Sequence, residues 1–151
     1  MDVLSIEQRR LNMSRIRGRD TVPEILVRKA LHARGYRFRL HRRDLPGSPD
    51  LVLPKWRVAV FVHGCFWHRH ACPYFKLPAT RREFWEQKIT RNAQRDGDDQ
   101  AALKRVGWRT LIVWECALRG RQKLAQEELV DAIENFMMAD ETAHEIQGKW
   151  Q

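Results

Sequence analysis

Three cysteines and a histidine stand at positions from which their side chains could together hold a metal ion. Cys65, His70 and Cys72 fall within one stretch that lacks helical or strand periodicity, and Cys116 follows an apolar run further along the chain. Three thiolates and one imidazole make up a tetrahedral donor set that a structural Zn²⁺ prefers. The pattern therefore predicts a zinc site that uses every cysteine of the chain.

Two other interpretations of this cluster stay open at the level of sequence. His68 lies two positions before His70 and could replace it as the fourth ligand. The cysteines could also be unrelated core residues, since free Cys is among the residue types most often buried. A redox-active pair fits poorly because the chain contains no Cys-x-x-Cys.

An aspartate and a histidine flank two neighbouring apolar runs. Asp50 follows a proline and opens the first run, and His63 ends the second. Enzymes that cut phosphodiester bonds use carboxylate oxygens to hold Mg²⁺ against the scissile phosphate. A Pro-Asp opening one hairpin strand, with an active residue on the partner strand, is the layout of PD-(D/E)xK nucleases. Here Phe61-x-His63 stands in the place of the usual acidic-x-Lys. A single Pro-Asp is weak evidence by itself, because many turns contain one.

The elements that position these residues follow from periodicity and turn signals. Thr21-x-x-Glu24 is a capping box that begins a helix over 21–34, and Gly35 ends it. The alternation of aromatic or aliphatic residues with basic residues predicts a strand over 36–41. Two apolar runs, over 50–53 and 57–62, then predict a β-hairpin in a mixed sheet.

The second half of the chain continues with elements of both kinds. A second capping box, Thr80-x-x-Glu83, predicts a long polar helix that reaches about Arg105, with Gly97 as its weak point and Gly107 as its end. A central strand over 108–114 and an amphipathic helix over 122–138 follow. This order predicts an α/β fold with a mixed central sheet flanked by helices. We expect one domain over 1–151, with a basic N-terminal arm (1–19) and a flexible tail (139–151).

Charge and composition narrow the function. The 151 residues include 28 Lys and Arg against 19 Asp and Glu, a net charge of +9. The basic residues are scattered rather than gathered on one amphipathic stripe, which favours nucleic acid over a membrane surface as the partner. No apolar run approaches the roughly 18 residues of a membrane span. The first residues also lack the apolar core of a signal peptide, so we expect a cytoplasmic protein.

Four segments carry a resemblance to a known family: LPGSPDLVL, VFVHGCFWHRHAC, FKLPATRREFW and LIVWECALRGR. Together they are similar to the very-short-patch-repair (Vsr) DNA mismatch endonucleases. The resemblance implies a restriction-endonuclease-like core of the PD-(D/E)xK type, a structural Zn²⁺ and a Mg²⁺-dependent active site. It also implies a monomer that nicks double-stranded DNA 5′ to the thymine of a T:G mismatch, the product of 5-methylcytosine deamination, at the bacterial nucleoid. The products would carry 5′-phosphate and 3′-hydroxyl ends.

The resemblance further implies roles for individual active-site residues. Asp50 and the main-chain oxygen of Val62 would bind Mg²⁺, and His63 and His68 would act around the scissile phosphate. Glu24 would complete the site, although the capping box explains this glutamate equally well. The zinc ligands implied by the resemblance are the same four residues that the donor-set argument selects.

The resemblance also implies a set of DNA contacts, which are Phe66, Trp67 and Trp85 as wedges from the major groove, Met13 from the minor groove, and Lys88 and Asn92 on base edges. Aromatic side chains inserted into a base step unstack it. Elsewhere aromatic residues are usually core, and we expect Trp56, Trp108 and Trp114 to be packing residues. Lys88 and Asn92 lie one helical turn apart, a spacing that a solvated helix face would also show.

A function from another class competes with the endonuclease. A non-catalytic, zinc-stabilised DNA-binding module would use the basic charge and the zinc cluster. It would have no use for Asp50, His63 and His68, so their presence favours the enzyme. Flanking-sequence preference, the number of Mg²⁺ ions and any repair-protein partner have no signature in the sequence.

Overall fold

A five-stranded mixed sheet forms the centre of the structure, a computed structural model that describes residues 20–150. Its strands, in chain order and in spatial order, are β1 (Arg39–Leu40), β2 (Leu51–Leu53), β3 (Val58–His63), β4 (Arg109–Trp114) and β5 (Ala143–Ile146). β1, β2 and β3 are antiparallel neighbours, whereas β3, β4 and β5 run parallel. The predicted β2–β3 hairpin and mixed sheet are confirmed.

Helices cover both faces of this sheet. They are α1 (Val22–Ala33), α2 (Arg82–Arg105), α3 (Glu115–Leu118) and α4 (Gln126–Met138). Successive side chains of a strand point to opposite faces, so β3 divides its residues between two cores. Val58 and Val60 pack in the core with α1, α3 and α4, while Ala59 and Phe61 pack in the core with the end of α2. Trp108 and Trp114 are buried in this second core and Trp56 packs against the first, as predicted.

The ends of α1 follow the sequence signals closely. The Thr21 hydroxyl accepts a hydrogen bond from the Glu24 amide at 3.4 Å, and the Glu24 carboxylate accepts one from the Thr21 amide at 2.7 Å. At the other end, Gly35 has a φ of +87°, and its amide donates to the carbonyl of His32. The predicted capping box and glycine stop are therefore both confirmed.

The start of α2 differs from the prediction. Thr80 does not cap this helix, because Arg81 occupies the N-cap position with a φ of 55° and no side chain among the described residues caps it. The guanidinium of Arg81 instead lies 4.3 Å from the centre of the Phe84 ring. The helix runs unbroken through Gly97 and ends before Gly107, whose φ is +87°.

The region after α4 is also more ordered than predicted. Residues 139–151 were expected to form a flexible tail, but Ala143–Ile146 is the edge strand β5, parallel to β4. Only Ile146 of this strand is buried, so its sequence lacks a clear alternating pattern. The guanidinium of Arg109 binds the carbonyls of Phe136, Met137 and Ala139, which fixes the turn into β5.

Two other elements have bounds that differ from those predicted. The strand predicted over 36–41 is reduced to the two residues of β1, and α4 begins at Gln126 rather than near 122. The basic arm over 1–19, including Met13, lies outside the described residues. None of the helices within 20–150 combines the length and apolar character needed to cross a membrane.

Candidate active site and metal centre

The predicted carboxylates meet where β2 begins and β3 ends. Because these strands are antiparallel, Asp50, which directly precedes β2, lies beside Val62 near the end of β3. The Val62 amide donates a hydrogen bond to Asp50 Oδ2 at 2.7 Å. α1 brings Glu24 to the same place. These residues line one cavity of about 790 Å³, together with His63 and His68.

The two carboxyl groups form an electrostatically costly pair. Glu24 is only 2% exposed, and one of its oxygens, Oε1, has no hydrogen-bond partner within residues 20–150. Burial, reinforced by the neighbouring Glu24 carboxyl, raises the pKa of Asp50 to about 8, although the Val62 amide opposes this shift. An orphaned buried oxygen beside a second carboxyl is the kind of hard-oxygen donor set that fits Mg²⁺. Oε2 of Glu24 caps α1, and the Glu24 carboxyl lies close enough to Asp50 to raise its pKa, so the capping role is compatible with a place in the site.

The two predicted histidines stack on each other next to an aspartate. The rings of His63 and His68 lie parallel, with centres 3.7 Å apart and an interplanar angle of 3°. His68 Nδ1 is 2.5 Å from Asp96 Oδ2, and His63 Nδ1 is 4.0 Å from the same oxygen. Burial, followed by the charge of His68, lowers the pKa of His63 to about 3. His63 is therefore neutral at physiological pH.

This second group offers three potential metal ligands, but its geometry favours proton transfer. The lone pairs of an imidazole lie in the plane of its ring, so those of two parallel stacked rings do not converge on one point. Asp96 instead binds Nδ1 of His68 and so orients its ring, and both residues line the cavity. A carboxylate that holds an imidazole in this way is the usual partner of a histidine general base.

The predicted sulfur cluster is formed as expected. One ligand atom from each of Cys65, His70, Cys72 and Cys116 lies within 4.8 Å of every other. Tetrahedral zinc, with bonds to sulfur of about 2.3 Å and to nitrogen of about 2.0–2.1 Å, would place sulfur and nitrogen about 3.6 Å apart. His70 Nδ1 lies 3.5 Å from the Cys65 sulfur and 3.7 Å from the Cys116 sulfur.

This geometry decides between the two histidines and fits the metal. His68 belongs to the Asp96 group, so His70 is the histidine that completes the sulfur cluster. Burial raises the pKa of the Cys65 thiol, which means that a thiolate here needs a cation beside it. The donor set and its spacing therefore fit Zn²⁺.

An aromatic platform adjoins the cavity. Phe66, Trp67 and Trp85 contact one another, with ring centres 5.2–5.8 Å apart. Trp67 is 43% exposed, and the Lys88 ammonium lies 5.7 Å from the Trp67 and Trp85 rings. The side-chain amide of Asn92 donates to the Trp67 carbonyl at 3.0 Å, so this residue supports the platform rather than standing free.

Comparison with known proteins assigns the family. A family model described as DNA mismatch endonuclease Vsr matches residues 1–74. The DNA mismatch endonuclease Vsr of Escherichia coli (strain K12) is 46% identical over 145 residues, 96% of this chain and 93% of that protein. The chain belongs to the Vsr family. It is also 52% identical over 117 residues to the type II nicking enzyme V.XorIIP of Xanthomonas oryzae pv. oryzae, across 78% of this chain and 86% of that enzyme.

Within this Vsr-family chain, the structure assembles most of the predicted site residues and adds one. Asp50, Val62, Glu24, His63 and His68 share the cavity. The residue that was missed is Asp96, which also lines the cavity. A signal for it existed, since it continues the four-residue spacing of Lys88 and Asn92 on the same face of α2.

Proposed function

We propose that this chain is a Mg²⁺-dependent endonuclease that nicks one strand of double-stranded DNA 5′ to the thymine of a T:G mismatch, as a cytoplasmic monomer. The observation that carries the proposal is the single cavity in which a carboxyl pair, an Asp-oriented histidine and an exposed aromatic platform adjoin. The hairpin that carries Asp50 supports assigning the core to the restriction-endonuclease-like, PD-(D/E)xK type. Membership of the Vsr family supports the substrate.

The residues divide the chemistry between them. Asp50, the main-chain oxygen of Val62 and Glu24 would hold Mg²⁺, which supplies charge stabilisation at the scissile phosphate when bound. His68, oriented by Asp96, would accept a proton from the attacking water through Nε2. The water oxygen bonds to phosphorus as the bond to the 3′ oxygen breaks. The 3′ oxygen takes up a proton from solvent water, and His68 returns its proton to solvent. The products are 5′-phosphate and 3′-hydroxyl ends.

The test is a nicking assay on three duplexes that differ at one pair, T:G, C:G and T:A, each with Mg²⁺ or with EDTA. The proposal expects nicking of the T:G duplex only, and only with Mg²⁺. A non-catalytic DNA-binding module, the competing function, would bind all three duplexes and cut none of them. Equal nicking of the three duplexes would refute the mismatch specificity while leaving the nuclease assignment in place.

Mg²⁺ binding should be coupled to proton release. Since the pKa of Asp50 is about 8 in the absence of metal, this carboxyl is mostly protonated near pH 7 and must ionise to bind a cation. We expect release of about one proton per Mg²⁺ near pH 7, falling toward none as the pH rises well above 8. Titration calorimetry in buffers of different ionisation enthalpy measures this number, and Asp50→Asn should abolish it.

Trp67→Ala should separate recognition from folding. An exposed side chain loses little on truncation, so we expect less than about 1 kcal/mol of lost unfolding free energy, against roughly 3–5 kcal/mol for a buried Trp. Nicking of the T:G duplex should fall by about 100-fold, because opening a base step costs a few kcal/mol that the ring would offset. Rates and thermal melts of the variant measure both effects.

Phe84→Ala is the matched control for this platform variant. Phe84 is equally exposed at 43% but does not line the cavity formed by the described residues. It should therefore leave nicking of the T:G duplex nearly unchanged. A large loss of stability in Trp67→Ala, with the T:G preference intact, would show that Trp67 is a packing residue and not a wedge.

Asp96→Asn should slow the chemical step. Without a carboxylate at Nδ1, His68 loses the partner that orients its ring, and general-base catalysis contributes 10²–10⁴-fold in typical enzymes. We expect about a 100-fold lower nicking rate with DNA affinity unchanged. Asp98→Asn, an exposed carboxylate on the same helix, is the control. If single-turnover rates of the two variants match, Asp96 has no role in the reaction.

A further inference from the structure

The sulfur cluster has a cover made by the residues that follow β5. We call Gln147, Gly148, Lys149 and Trp150 the 147–150 segment. None of these residues is a cysteine or histidine, and the family resemblance implies no role for them. Three of the four nevertheless contact His70 or Cys116 of the sulfur cluster directly.

These contacts fall on two of the four ligands. His70 Nε2, the ring nitrogen turned away from the sulfurs, lies 2.9 Å from the side-chain oxygen of Gln147. The Cys116 sulfur accepts a hydrogen bond from the Gly148 amide at 3.3 Å and another from the Trp150 indole N–H at 3.4 Å. Gln147 thereby selects the tautomer that leaves Nδ1 for a metal.

A backbone hydrogen bond, a close approach at Gly148 and ring packing fix the course of this segment. The Lys149 amide donates to the carbonyl of Gln122 at 2.7 Å. A Cβ atom on Gly148 would lie 2.6 Å from the Cys116 carbonyl oxygen, so only glycine allows this approach. The Trp150 ring packs edge-on against Tyr74, with centres 5.5 Å apart.

The charge of the site explains what such a cover would contribute. Three thiolates and a neutral imidazole around a divalent cation leave an excess of negative charge, and Cys65 and Cys116 are both fully buried. Buried charge is costly unless hydrogen-bond donors surround it. Two N–H groups directed at the Cys116 sulfur disperse part of that charge.

We propose that the 147–150 segment helps the zinc centre to retain its metal. Gln147 and Trp150 act as positioning residues that orient His70 and stabilise the Cys116 thiolate, and this slows the release of Zn²⁺. Because the coupling is reciprocal, bound metal in turn holds the segment and the end of β5 against the sheet. The proposal concerns retention of the structural metal and does not depend on the nicking activity.

Trp150→Phe tests the hydrogen bond to sulfur while keeping an aromatic ring. Outer partners of metal ligands typically change metal affinity by 10–100-fold, so we expect Zn²⁺ release to a coloured chelator to accelerate about 10-fold. In the Co²⁺-substituted protein, the thiolate-to-metal charge-transfer band should move to longer wavelength, because the sulfur becomes more electron-rich. Trp56→Phe, the same change in the turn between β2 and β3 at a residue outside the sulfur cluster, should alter neither measurement. A wild-type release rate and spectrum in Trp150→Phe would overturn the proposal.

Gln147 supplies a second test that does not touch the core, since this side chain is exposed. Gln147→Ala removes the acceptor for His70 and should also accelerate Zn²⁺ release, whereas Gln147→Glu keeps an acceptor and should restore the wild-type rate. Equal rates in the two variants would contradict the assigned role.

Amide hydrogen exchange tests the reciprocal effect. Protection of the Gly148 amide should fall at least about 10-fold when the metal is removed, and unchanged protection would disprove the coupling.

Discussion

Asp50→Ala should lower the rate of T:G nicking by about 1,000-fold or more, equivalent to roughly 4 kcal/mol of transition-state stabilisation. The reason is that Asp50 is the carboxylate that would hold Mg²⁺ in the cavity, beside Val62 and Glu24. Duplex affinity should remain within a few-fold of wild type, because it rests on Lys and Arg contacts with phosphates. Single-turnover nicking at saturating enzyme, paired with an equilibrium binding curve, separates the two quantities.

Asp44→Ala is the control for this substitution. Asp44 belongs to the loop that leads to Asp50, but it is exposed and paired with Arg42. Its removal should leave the nicking rate near wild type. A rate for Asp50→Ala within tenfold of wild type would mean that the carboxyl pair is not the Mg²⁺ site.

Cys116→Ser should have the largest effect on stability. Cys116 is fully buried, belongs to the sulfur cluster and joins the end of β4 to the loop that carries Cys65 and His70. Because zinc binding contributes directly to folding, we expect a loss of more than about 4 kcal/mol of unfolding free energy. For a chain of this size, that corresponds to a fall in Tm of roughly 8–16 °C.

Metal removal supplies the internal control for this prediction. When wild type and Cys116→Ser are both melted after exhaustive chelation, their Tm values should approach each other, because the lost interaction is then absent from both proteins. Metal analysis should find about one Zn²⁺ per wild-type chain and far less in the variant. An unchanged Tm with one Zn²⁺ still bound would exclude Cys116 as a ligand.

Much of the fold follows from local signals. Thr21, Glu24 and Gly35 set the ends of α1 through hydrogen bonds within a few residues of one another, so the sequence alone identifies them. The hairpin that carries Asp50 follows from two apolar runs and a short turn. Thr80 shows the limit of this reasoning, because its capping motif is intact but the backbone turns at Arg81 instead.

The sequence by itself also determined the types of donor at the two centres. Three cysteines and a histidine specify a soft tetrahedral site, and a carboxylate beside an apolar hairpin specifies a hard one. The resemblance to the Vsr family, carried by unbroken stretches such as VFVHGCFWHRHAC, was confirmed. These features are chemical properties of the side chains, which the fold arranges but does not create.

Only the tertiary structure decided which of these side chains act together. His68 and His70 have the same side chain two positions apart, and the fold sends one to Asp96 and the other to the cysteines. Asp96 shares a helix face with Lys88 and Asn92, but that spacing does not show which residue it contacts, and Trp150 follows an edge strand with little pattern. Their partners lie 28 and 34 positions away along the chain, and such contacts arise from the packing of whole elements rather than from any local sequence preference.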